Sequence, residues 1–539
     1  MATTVDIVVY GGGFAGVAAA AKAAANTASN KTIALIVPDP VPHDGRGSCL
    51  GGLGTIGGQN YFDIRDKNGV VFTQGTFNWW YKQQGLFYST DAMAAQLKTD
   101  LAKYGSKIKY YYGYDIKSIG WRSPAHITEV RLCSIDRNQT SGIVQWGSLT
   151  DTVAGTVFID ASDSGRLTRL SNFGGTVGRY DFPAKYLDSD EKTGPGKGRQ
   201  QVATLMFKIK GFDVSKIEAG HDEVLVSNNT TGCGGGGTAY RNKNGAIYRF
   251  NEKYGPQGFA IKPYNMAQDG PNSDEWWLNS LLVFNVDGRA YNRDKGTSVF
   301  PTDMRSDYRT VDDAWVAARN MINTAEFQTA IREFPGFQSA TIVKDSKGLP
   351  VVGEVLYLRE TIHSALSASS RANGTENTNY GLRSEDCNLA GATKTSGKDS
   401  RNYAKRIGLN FYWSDINGYK FEDLKDANGN YIWFNEVGDK VRPDLGVTDT
   451  SPTNPVYVPY GTLATNFVYN LLIPGYAAGM SSFAWAEART LPNQCVLGDA
   501  AGVAAAYAVT NSKDPLNFSS SDISKIQTTL KNSDAKLEK

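Results

Sequence analysis

The chain has 539 residues, of which 41% are hydrophobic and 20% charged, and its formal net charge is +2. This length predicts two or more domains, and the composition is that of an ordinary globular protein. The small net charge argues against a nucleic-acid partner. The sequence has no run of about 18 apolar residues, so we expect no membrane span.

The cysteines and histidines argue against metal and dithiol redox chemistry. Five cysteines lie far apart and form no CxxC pair, which excludes a zinc knuckle and a CxxC redox site. The four histidines are also far apart, so we expect no metal site. No charged, apolar and small-residue leader precedes the first predicted strand, so this chain predicts no signal peptide. A cytoplasmic protein and an exported protein whose leader has been removed both fit.

The stretch "IVVYGGGFAG" at 7–16 predicts a strand, a glycine turn and the start of a helix. "VDIVVY" is short, apolar and β-branched, and "VAAAAKAAA" follows the turn as a predicted helix. The glycines fit G-x-G-x-x-G in the strand–turn–helix context that this dinucleotide motif requires. We expect the turn and the helix N-terminus to hold a pyrophosphate, with a purely structural glycine turn as the alternative. The predicted contacts are Gly11, Gly13, Phe14, Ala15 and Gly16.

An acidic residue is expected after the second strand, where it would bind the adenosine ribose. That strand is predicted as "TIALIV" at 32–37, and Asp39 follows it after one proline. Asp39 is therefore the ribose candidate, and an ordinary turn aspartate is the alternative.

A loop with seven glycines follows at 44–60, "DGRGSCLGGLGTIGGQN". Such glycine density lets backbone pass close to a large flat ligand or makes a flexible linker. The ligand interpretation is favoured because small polar residues alternate with the glycines. Its predicted cofactor contacts are Ser48, Cys49, Gly51 and Gly52.

The next elements are predicted as a helix and a series of strands. The helix covers 90–104, with Thr90 or Asp91 as its cap. "KIKYYYGYDIKSIGW" at 107–121 is predicted as a single strand. Further strands are expected at 127–135, 142–149 and 153–160.

Three stretches of the sequence resemble a known family. "FIDASDSGRL" at 158–167 stands where flavoproteins of the glutathione-reductase type have "IDATGDGDL", with Ser162 and Asp163 replacing Thr and Gly. The tail at 456–509 resembles one branch of FAD-dependent oxidoreductases that carries "Y-x-I-P-Y-x-x-L", "N-L-L-V-A-G-R", "R-x-x-P" and "G-Q-A-A-G-x-A-A". "GEVLYLRETIH" at 353–363 resembles the "R-E-S-R-R-I" of the same branch.

The resemblance implies FAD as cofactor and an α/β fold. The expected fold is a glutathione-reductase-type FAD-binding Rossmann domain with an inserted mixed α+β substrate domain. The FAD-binding domain would comprise 1–175 and 456–539, and the substrate domain 176–455. The further cofactor residues that the resemblance implies are Ala161, Ser162, Asp163, Gly475, Arg489 and Pro492.

The tail itself predicts a helix that supports this interpretation. "TLPNQCVLGDAAGVAAAYAV" has Thr490 as its cap and Pro492 in the first turn. The family places this helix N-terminus at the N1–C2=O edge of the flavin, where it stabilises negative charge. Gly498 and Gly502, one turn apart, predict a close approach of the helix to the first strand. An apolar core helix is the alternative, and both can hold together.

The inserted region 176–455 is expected to bind the substrate. Strand-like runs, a helix at about 311–333 and long polar loops are predicted there, and "GCGGGG" at 232–237 is predicted to be a loop. Repeated tryptophans suit a sugar or an aromatic substrate, although most single aromatic residues belong to ordinary cores: Trp79, Trp80, Trp276, Trp277, Trp413 and Trp433. The chain has no second strand–helix G-x-G-x-x-G, so no separate NAD domain is expected.

The catalytic candidates are Arg359, His363 and Tyr460. If "LYLRETIH" is helical, Arg359 and His363 share one face, with an exposed salt-bridged helix as the alternative. Arg359 could bind a carboxylate, His363 could accept a substrate proton and Tyr460 could donate one. By resemblance to relatives of the fumarate reductase type, His43 or Cys49 could bond covalently to the flavin. For Cys49 the alternative is an ordinary buried, neutral thiol.

The sequence therefore predicts an FAD-dependent oxidoreductase. Its substrate, an alcohol, sugar or amine, would transfer hydride to flavin N5, and an external acceptor would reoxidise the flavin. Two alternatives stay open: a fumarate-reductase-like enzyme that reduces an activated double bond, and a non-catalytic flavin- or nucleotide-binding module.

Overall fold

The structure of the protein is a computed structural model, and its helices are given first. The structure describes residues 2–42, 49–122, 125–171, 175–178, 198–220, 222–364, 381–382, 384–387, 402–413, 415–433, 436–438, 454–464 and 468–539. The α-helices of the described residues are α1 Phe14–Asn26, α2 Thr76–Gln84, α3 Thr90–Ala102, α4 Arg166–Leu170, α5 Gly237–Arg241, α6 Ala246–Tyr254, α7 Val311–Ile322, α8 Ala325–Ile331, α9 Ser384–Cys387, α10 Ser482–Ala488, α11 Leu491–Asn511 and α12 Ser520–Asn532.

The strands of the described residues belong to several sheets. They are β1 Thr3–Thr4, β2 Ile7–Tyr10, β3 Ile33–Val37, β4 Asp66–Lys67, β5 Val70–Val71, β6 Ile108–Tyr112, β7 Tyr114–Arg122, β8 His126–Arg137, β9 Val144–Ala154, β10 Val157–Asp160, β11 Gly175–Val177, β12 Ala203–Lys210, β13 Glu223–Ser227, β14 Thr230–Gly235, β15 Phe259–Gln268, β16 Glu275–Val283, β17 Val286–Asp287, β18 Arg309–Thr310, β19 Thr341–Ile342, β20 Ile362–Ser364, β21 Arg406–Asn410, β22 Val456–Pro459 and β23 Leu471–Leu472.

A five-stranded parallel sheet carries the glycine turn. Its order is β23–β10–β2–β3–β6, and β2 is buried along its whole length. Strands buried on both faces are continuous apolar runs, as β2 and β3 are. Because all five strands are parallel, the segments that follow β2, β3 and β10 meet at one edge of the sheet. Ligands bind at this carboxyl edge in open α/β sheets.

The single strand predicted at 107–121 is two strands in two different sheets. Gly113 has a φ of 68°, which breaks the run between β6 and β7. β6 is the edge of the parallel sheet, whereas β7 starts an antiparallel sheet with β8 and β9. Alternating patterns reveal strands but do not show where a chain leaves one sheet for another.

The large antiparallel sheet lies in the region predicted to bind substrate. Its order is β13–β14–β15–β16–β12–β19. The expectation of a loop at 232–237 was wrong, because most of that run forms β14, paired on both sides. The helix expected at about 311–333 is two helices, since Thr324 caps a new helix by accepting the amide N–H of Phe327.

Helix α11 confirms the expected cap and first-turn proline but contacts a different element. Thr490 is its N-cap, and Pro492 lies in the first turn. Gly498 and Gly502 face α1 rather than the first strand, because a Cβ at either would lie 2.2 or 2.3 Å from a backbone oxygen of α1. The cap of α3 is Ser89, not Thr90 or Asp91.

The largest hydrophobic cluster includes residues of both the parallel sheet and the antiparallel sheet, such as Val9 and Leu281. The division into two domains stays a prediction. None of the helices in the described parts of the chain is long and apolar enough to cross a membrane.

Gly498→Ala tests the helix contact. The added methyl group would meet the carbonyl oxygen of Ala15, so we expect a loss of about 1–3 kcal/mol in the free energy of unfolding. Urea denaturation measures this loss. Thr510→Ala, at an exposed position of the same helix, is the control and should change stability by less than about 0.5 kcal/mol. Equal stability of the two variants would contradict the packing argument.

Candidate active site

The glycine turn after β2 combines two tightly packed glycines with one open position. Gly11 has a φ of 120°, and a Cβ there would lie 2.5 Å from the backbone of Ala161. A Cβ at Gly16 would lie 1.9 Å from the carbonyl oxygen of Gly11. At Gly13, by contrast, no protein atom lies within 4 Å of that position. The turn therefore leaves free space at the N-terminus of α1, where amide N–H groups favour phosphate.

A cavity of about 770 Å³, its open mouth included, lies over this turn. It brings together seven of the predicted cofactor residues: Gly11, Gly13, Asp39, Gly52, Ala161, Ser162 and Asp163. The facing wall comes from Glu354 to Leu358 and from residues around Trp315. The carboxyl ends of three parallel strands thus converge on one space, as the sheet order requires.

Other predicted cofactor residues do not line the cavity but pack or hydrogen-bond next to residues that do. Phe14 packs edge-on against Trp80, with ring centroids 5.2 Å apart, and Ala15 contacts α11. Gly51 donates its amide N–H to the carbonyl oxygen of Gly12, and Gly475 donates to that of Asp160. None of these four lines the cavity, nor does Gly16.

Cys49 is a buried thiol that does not line the cavity, and Ser48 and His43 lie outside the described residues. Burial and the nearby carboxylate of Asp39 raise the pKa of Cys49 to about 12. The thiol is therefore neutral at physiological pH, as expected for a structural cysteine.

The turn after β10 is tied by a buried carboxylate. Asp160 accepts hydrogen bonds from the amide and hydroxyl groups of Ser162 and Thr168, at 2.6–3.2 Å. The hydroxyl group of Ser162 thus points back into the turn. These bonds hold the backbone of 161–163 against Gly11.

Two acids of the cavity have unusually high pKa values. Burial, followed by repulsion from Asp163 and Asp115, raises the pKa of Asp39 to about 7. Burial and the charge of Asp160 raise the pKa of Asp163 to about 7 as well. Arg293, which donates a hydrogen bond to Asp115, lowers the pKa of Asp39. This effect offsets only part of the rise. Near pH 7 this pair carries less than two negative charges.

A polar cluster surrounds the N-terminus of α11. Arg489 donates to the carboxylate of Asp415 at 2.6 Å and to the hydroxyl group of Tyr357. Arg359 lies over the ring of Tyr357, at 4.7 Å from its centroid. Arg359 also donates to the carbonyl oxygen of Val202 and the hydroxyl group of Thr204. Both guanidinium groups are buried, and 130 residues separate them in sequence.

Asp63 connects this cluster to a surface groove. Its carboxylate accepts the side-chain amide of Gln59 at 3.1 Å. Burial raises the pKa of Asp63 to about 6, against the opposing charge of Arg489. Behind it, burial and the charge of Arg359 lower the pKa of Lys262 to about 7.

The groove itself has a volume of about 1340 Å³, its open mouth included. We call it the aromatic groove, after the rings that line it: Tyr61, Phe62, Tyr81, Phe87, Tyr412 and Trp413. Asp63, Asp66 and Glu223 are its acids. Glycines of β14 form part of its wall, so the glycine run contributes directly to the surface of the groove.

Several buried polar atoms around the α11 N-terminus have no hydrogen-bond partner among the described residues. The side chains concerned are Gln59, Asn279, Arg359, Glu360, His363, Arg489, Thr490 and Asn493. An unsatisfied buried polar group costs about 1–3 kcal/mol. Unsatisfied groups such as those of Arg489, Thr490 and Asn493, which are neighbours in sequence, are typical of a site that a polar ligand completes.

The helix considered for "LYLRETIH" at 356–363 does not form. Residues 353–361 are irregular, with bends at Glu354, Val355 and Arg359, and His363 lies in β20, paired with β11. The imidazole contacts Glu360 at 3.0 Å, and both side chains are fully buried. Arg359 and His363 therefore do not share a helix face.

Tyr460 is buried away from the cavity and the groove. Its hydroxyl group donates to the carbonyl oxygen of Pro515, and its ring stacks on Phe518 at 5.6 Å. Pro492, in the first turn of α11, follows Arg489 beside the polar cluster.

Sequence reasoning missed Asp63, Asp415 and Lys262. Asp63 stands three residues after the glycine-rich loop, a position that could have singled it out. Lys262 and Asp415 lie in stretches without any motif. No group of three or more metal-ligating side chains occurs among the residues that the structure describes.

A family model described as FAD dependent oxidoreductase matches residues 6–530, nearly the whole chain. The protein belongs to the FAD dependent oxidoreductase family. It is therefore an enzyme with FAD as its cofactor, and the non-catalytic binding module is not retained. No curated protein matches its sequence.

Several solved structures resemble the chain distantly, one of them an FAD-dependent halogenase. A myxobacterial chondrochloren halogenase is 11% identical over 64% of this chain and 62% of its own, with a TM-score of 0.29. A geranylgeranyl bacteriochlorophyll reductase-like protein from Thermoplasma acidophilum is 10% identical over 100% of this chain and 86% of its own, with a TM-score of 0.36. A p-nitrophenol 4-monooxygenase from Pseudomonas putida is 9% identical over 52% and 57%, with a TM-score of 0.24. The chain spans less than two thirds of the halogenase and the monooxygenase.

The residues of the cavity fit FAD. The space at Gly13 suits a pyrophosphate, and Asp39, at the end of β3, is placed to accept ribose hydroxyl groups. Outside the cavity lining, at the α11 N-terminus, the hydroxyl oxygen of Thr490 and the side-chain oxygen of Asn493 have no partner among the described residues and suit a polar ring edge.

Gly12 and Gly13 separate cofactor binding from stability. Gly13 has a φ of −67° and open space at its Cβ position, so Gly13→Ala should leave apoprotein stability unchanged while the methyl group obstructs the phosphate. We expect FAD affinity to fall at least about tenfold. Gly12→Ala is the matched variant, because its methyl group would lie 2.3 Å from Val37 and should lower apoprotein stability instead. Thermal denaturation and FAD titration measure the two effects, and the reverse pattern would disprove this assignment.

The raised pKa of Asp163 predicts a pH-dependent stability. Because the folded-state pKa lies above the unfolded value of 3.8, the folded protein binds more protons between about pH 4 and 7, and stability falls as pH rises through that window. Asp163→Asn should therefore stabilise the apoprotein increasingly from pH 4 to pH 8, as measured by urea denaturation. Asp274→Asn, at an exposed position, should not reproduce this trend.

Proposed function

We propose that the protein oxidises a small organic substrate of the alcohol, sugar or amine type. When bound in the cavity over Gly13, FAD supplies a hydride acceptor at N5, and an external acceptor then takes the electrons. The proposal includes a glutathione-reductase-type arrangement, in which the α11 N-terminus stabilises negative charge on the ring. The observation that carries the proposal is the position of Asp63, which is exposed to the aromatic groove and coupled to the α11 cluster.

Asp63 is the proposed general base. A carboxylate with a pKa of about 6 is mostly ionised at pH 7 and still basic enough to accept a hydroxyl proton. The O–H proton moves to the Asp63 carboxylate as the C–H bond breaks and the C=O bond forms. Gln59 fixes one carboxylate oxygen at 3.1 Å, which orients the acceptor.

Arg359 and Arg489 are proposed to hold developing negative charge. Burial and the neighbouring charge of Arg489 lower the pKa of Arg359, so the two cations compete for counter-charge. Asp415 neutralises Arg489 directly, whereas Arg359 donates to a carbonyl and a hydroxyl group. Arg359 is thus the cation with more charge to offer a substrate oxygen.

The same cations favour one alternative, reduction of an activated double bond in a fumarate-reductase-like reaction. Two buried guanidinium groups could clamp a dicarboxylate. The test is the direction of electron flow. Anaerobic bleaching of the 450 nm flavin band by alcohols, sugars or amines supports oxidation, whereas reoxidation of dithionite-reduced flavin by fumarate-type acids, without bleaching by any donor, supports reduction.

Asp63→Asn tests the base. We expect the rate of flavin reduction by substrate to fall about 10²- to 10⁴-fold, with the flavin spectrum unchanged. In the wild type this rate should rise with pH through about 6, because only ionised Asp63 accepts the proton. Stopped-flow absorbance measures both effects, with Asp274→Asn as the control. A variant that keeps the wild-type rate and pH profile would exclude Asp63 as the base.

A further inference from the structure

We propose that Arg293, which lies far outside the glycine motif in sequence, binds a diphosphate oxygen of FAD in the cavity over the glycine turn. The inference rests on the FAD cofactor alone and not on the proposed oxidation. Three observations carry it: an unused donor of Arg293, the balance of charge in the cavity lining and the contacts that fix the guanidinium group.

Arg293 has a buried N–H group that no described residue accepts. Its side chain lines the cavity and is only 4% exposed. One terminal nitrogen donates to the carboxylate of Asp115, whereas Nε has no hydrogen-bond partner among the described residues. No other cavity-lining side chain that the structure describes has a buried polar atom without a partner. A guanidinium N–H group in this state indicates an acceptor that binds in the cavity.

The other cation of the described lining, Arg137, already has its partners. Its guanidinium group donates to the carboxylate of Glu354 at 3.0 Å and to the carbonyl oxygens of Glu354 and Gly142, so each of its three nitrogens has an acceptor. The group also lies 3.8 Å from the centroid of the Trp315 ring. Arg137 is therefore part of the wall, and Arg293 is the cation with a donor left for a ligand.

The described lining carries more acids than cations. The acids are Asp39, Asp163, Asp312 and Glu354. Burial raises the pKa of Asp39 and the charge of Arg293 lowers it, so the guanidinium group acts on the position predicted for the ribose. A diphosphate adds negative charge to this lining, and the amide groups of the glycine turn offer only partial positive charge. A buried charge requires a partner of opposite charge, which Arg293 supplies.

Contacts on two sides fix the guanidinium group of Arg293. It lies 4.2 Å from the centroid of the Tyr291 ring and donates to Asp115. The same carboxylate accepts the hydroxyl group of Tyr10 at 2.7 Å, and Tyr10 ends β2 directly before Gly11. Asp115 thus holds Arg293 in a fixed position relative to the glycine turn. A preorganised donor of this kind binds a phosphate without a further loss of side-chain freedom.

Asp115 keeps a second cation when Arg293 is replaced. Nε of Arg166 lies 3.4 Å from the Asp115 carboxylate, and Arg166 also pairs with Asp294. Loss of Arg293 therefore leaves neither buried carboxylate without a counter-charge, and we expect variants of Arg293 to fold. Cofactor binding by Arg293 can thus be separated from a purely structural role in this network.

The test compares Arg293→Gln with the wild type in the full chain. FAD binding is titrated by the quenching of flavin fluorescence and ADP binding by calorimetry, both on protein from which FAD has been removed. We expect both affinities to fall by the same factor, about 10- to 100-fold, as for the loss of a hydrogen bond to a charged group. Adenosine, measured as a millimolar competitor of ADP, should bind the variant and the wild type equally.

Two further variants separate the donor from charge and folding. Arg293→Lys keeps the charge beside Asp115 but lacks the planar fork of donors, so it should weaken FAD and ADP binding about 3- to 10-fold. Arg319→Gln is the matched control, because Arg319 also donates to an aspartate, Asp345 at 2.9 Å, but does not line the cavity. It should leave both affinities within about twofold. Thermal denaturation shows whether each variant is folded, and Arg293→Lys decides the question if Arg293→Gln does not fold.

A folded Arg293 variant that binds FAD as tightly as the wild type would overturn the inference and leave Arg293 as a part of the Asp115 network. Equal losses for ADP and adenosine would also overturn it, because they would place Arg293 at the nucleoside instead of the diphosphate. Weaker binding of FAD and ADP with unchanged adenosine binding would support it. None of these outcomes depends on whether an organic substrate bleaches the flavin, so the proposed oxidation is tested separately.

Discussion

The close backbone approach between α1 and α11 is the constraint on which the site depends. Gly498 and Gly502 let α11 lie against the backbone of Ala15 and Ala19, and α1 begins directly at the glycine turn. The N-termini of both helices are thereby held at the same end of the parallel sheet. One is free for a phosphate and the other lies beside the polar cluster. A single methyl group in this contact would separate two parts of the site that are almost 500 residues apart in sequence.

The polar cluster has an energetic consequence for the apoprotein. Buried charges are tolerated when they are paired and hydrogen-bonded, as Arg489 is with Asp415. Arg359, Asn279 and Gln59 retain unsatisfied atoms, which lowers stability relative to a completed network. Bound ligands that satisfy these atoms recover that free energy, so the cluster couples binding to stability. The same atoms are therefore poorly explained as parts of a purely structural core.

The sequence predicts the cofactor side of the protein better than the substrate side for a physical reason. The β2–turn–α1 unit, Asp39 and the cap of α11 depend on neighbours within a few residues, so local patterns reveal them. The glycine run of β14 looked like a loop because its pairing partners, β13 and β15, supply the strand signal that the glycines lack. The spacing of Arg359 and His363 fits one face of a helix, but His363 lies in β20 and pairs with β11, a contact that local spacing does not show.

The residues that would select a substrate could not be predicted from local pattern at all. Asp63, Lys262 and Asp415 come from three segments separated by more than 150 residues, and the pKa values of Asp63 and Lys262 depend on burial that only the folded chain creates. Asp63 would be an ordinary exposed acid in a peptide, with a pKa near 4. The cavity over the glycine turn shares no lining residue with the aromatic groove. The groove can therefore change its ligand without any change in how FAD is held. Family membership therefore fixes the cofactor, and in the proposed function the groove selects the substrate.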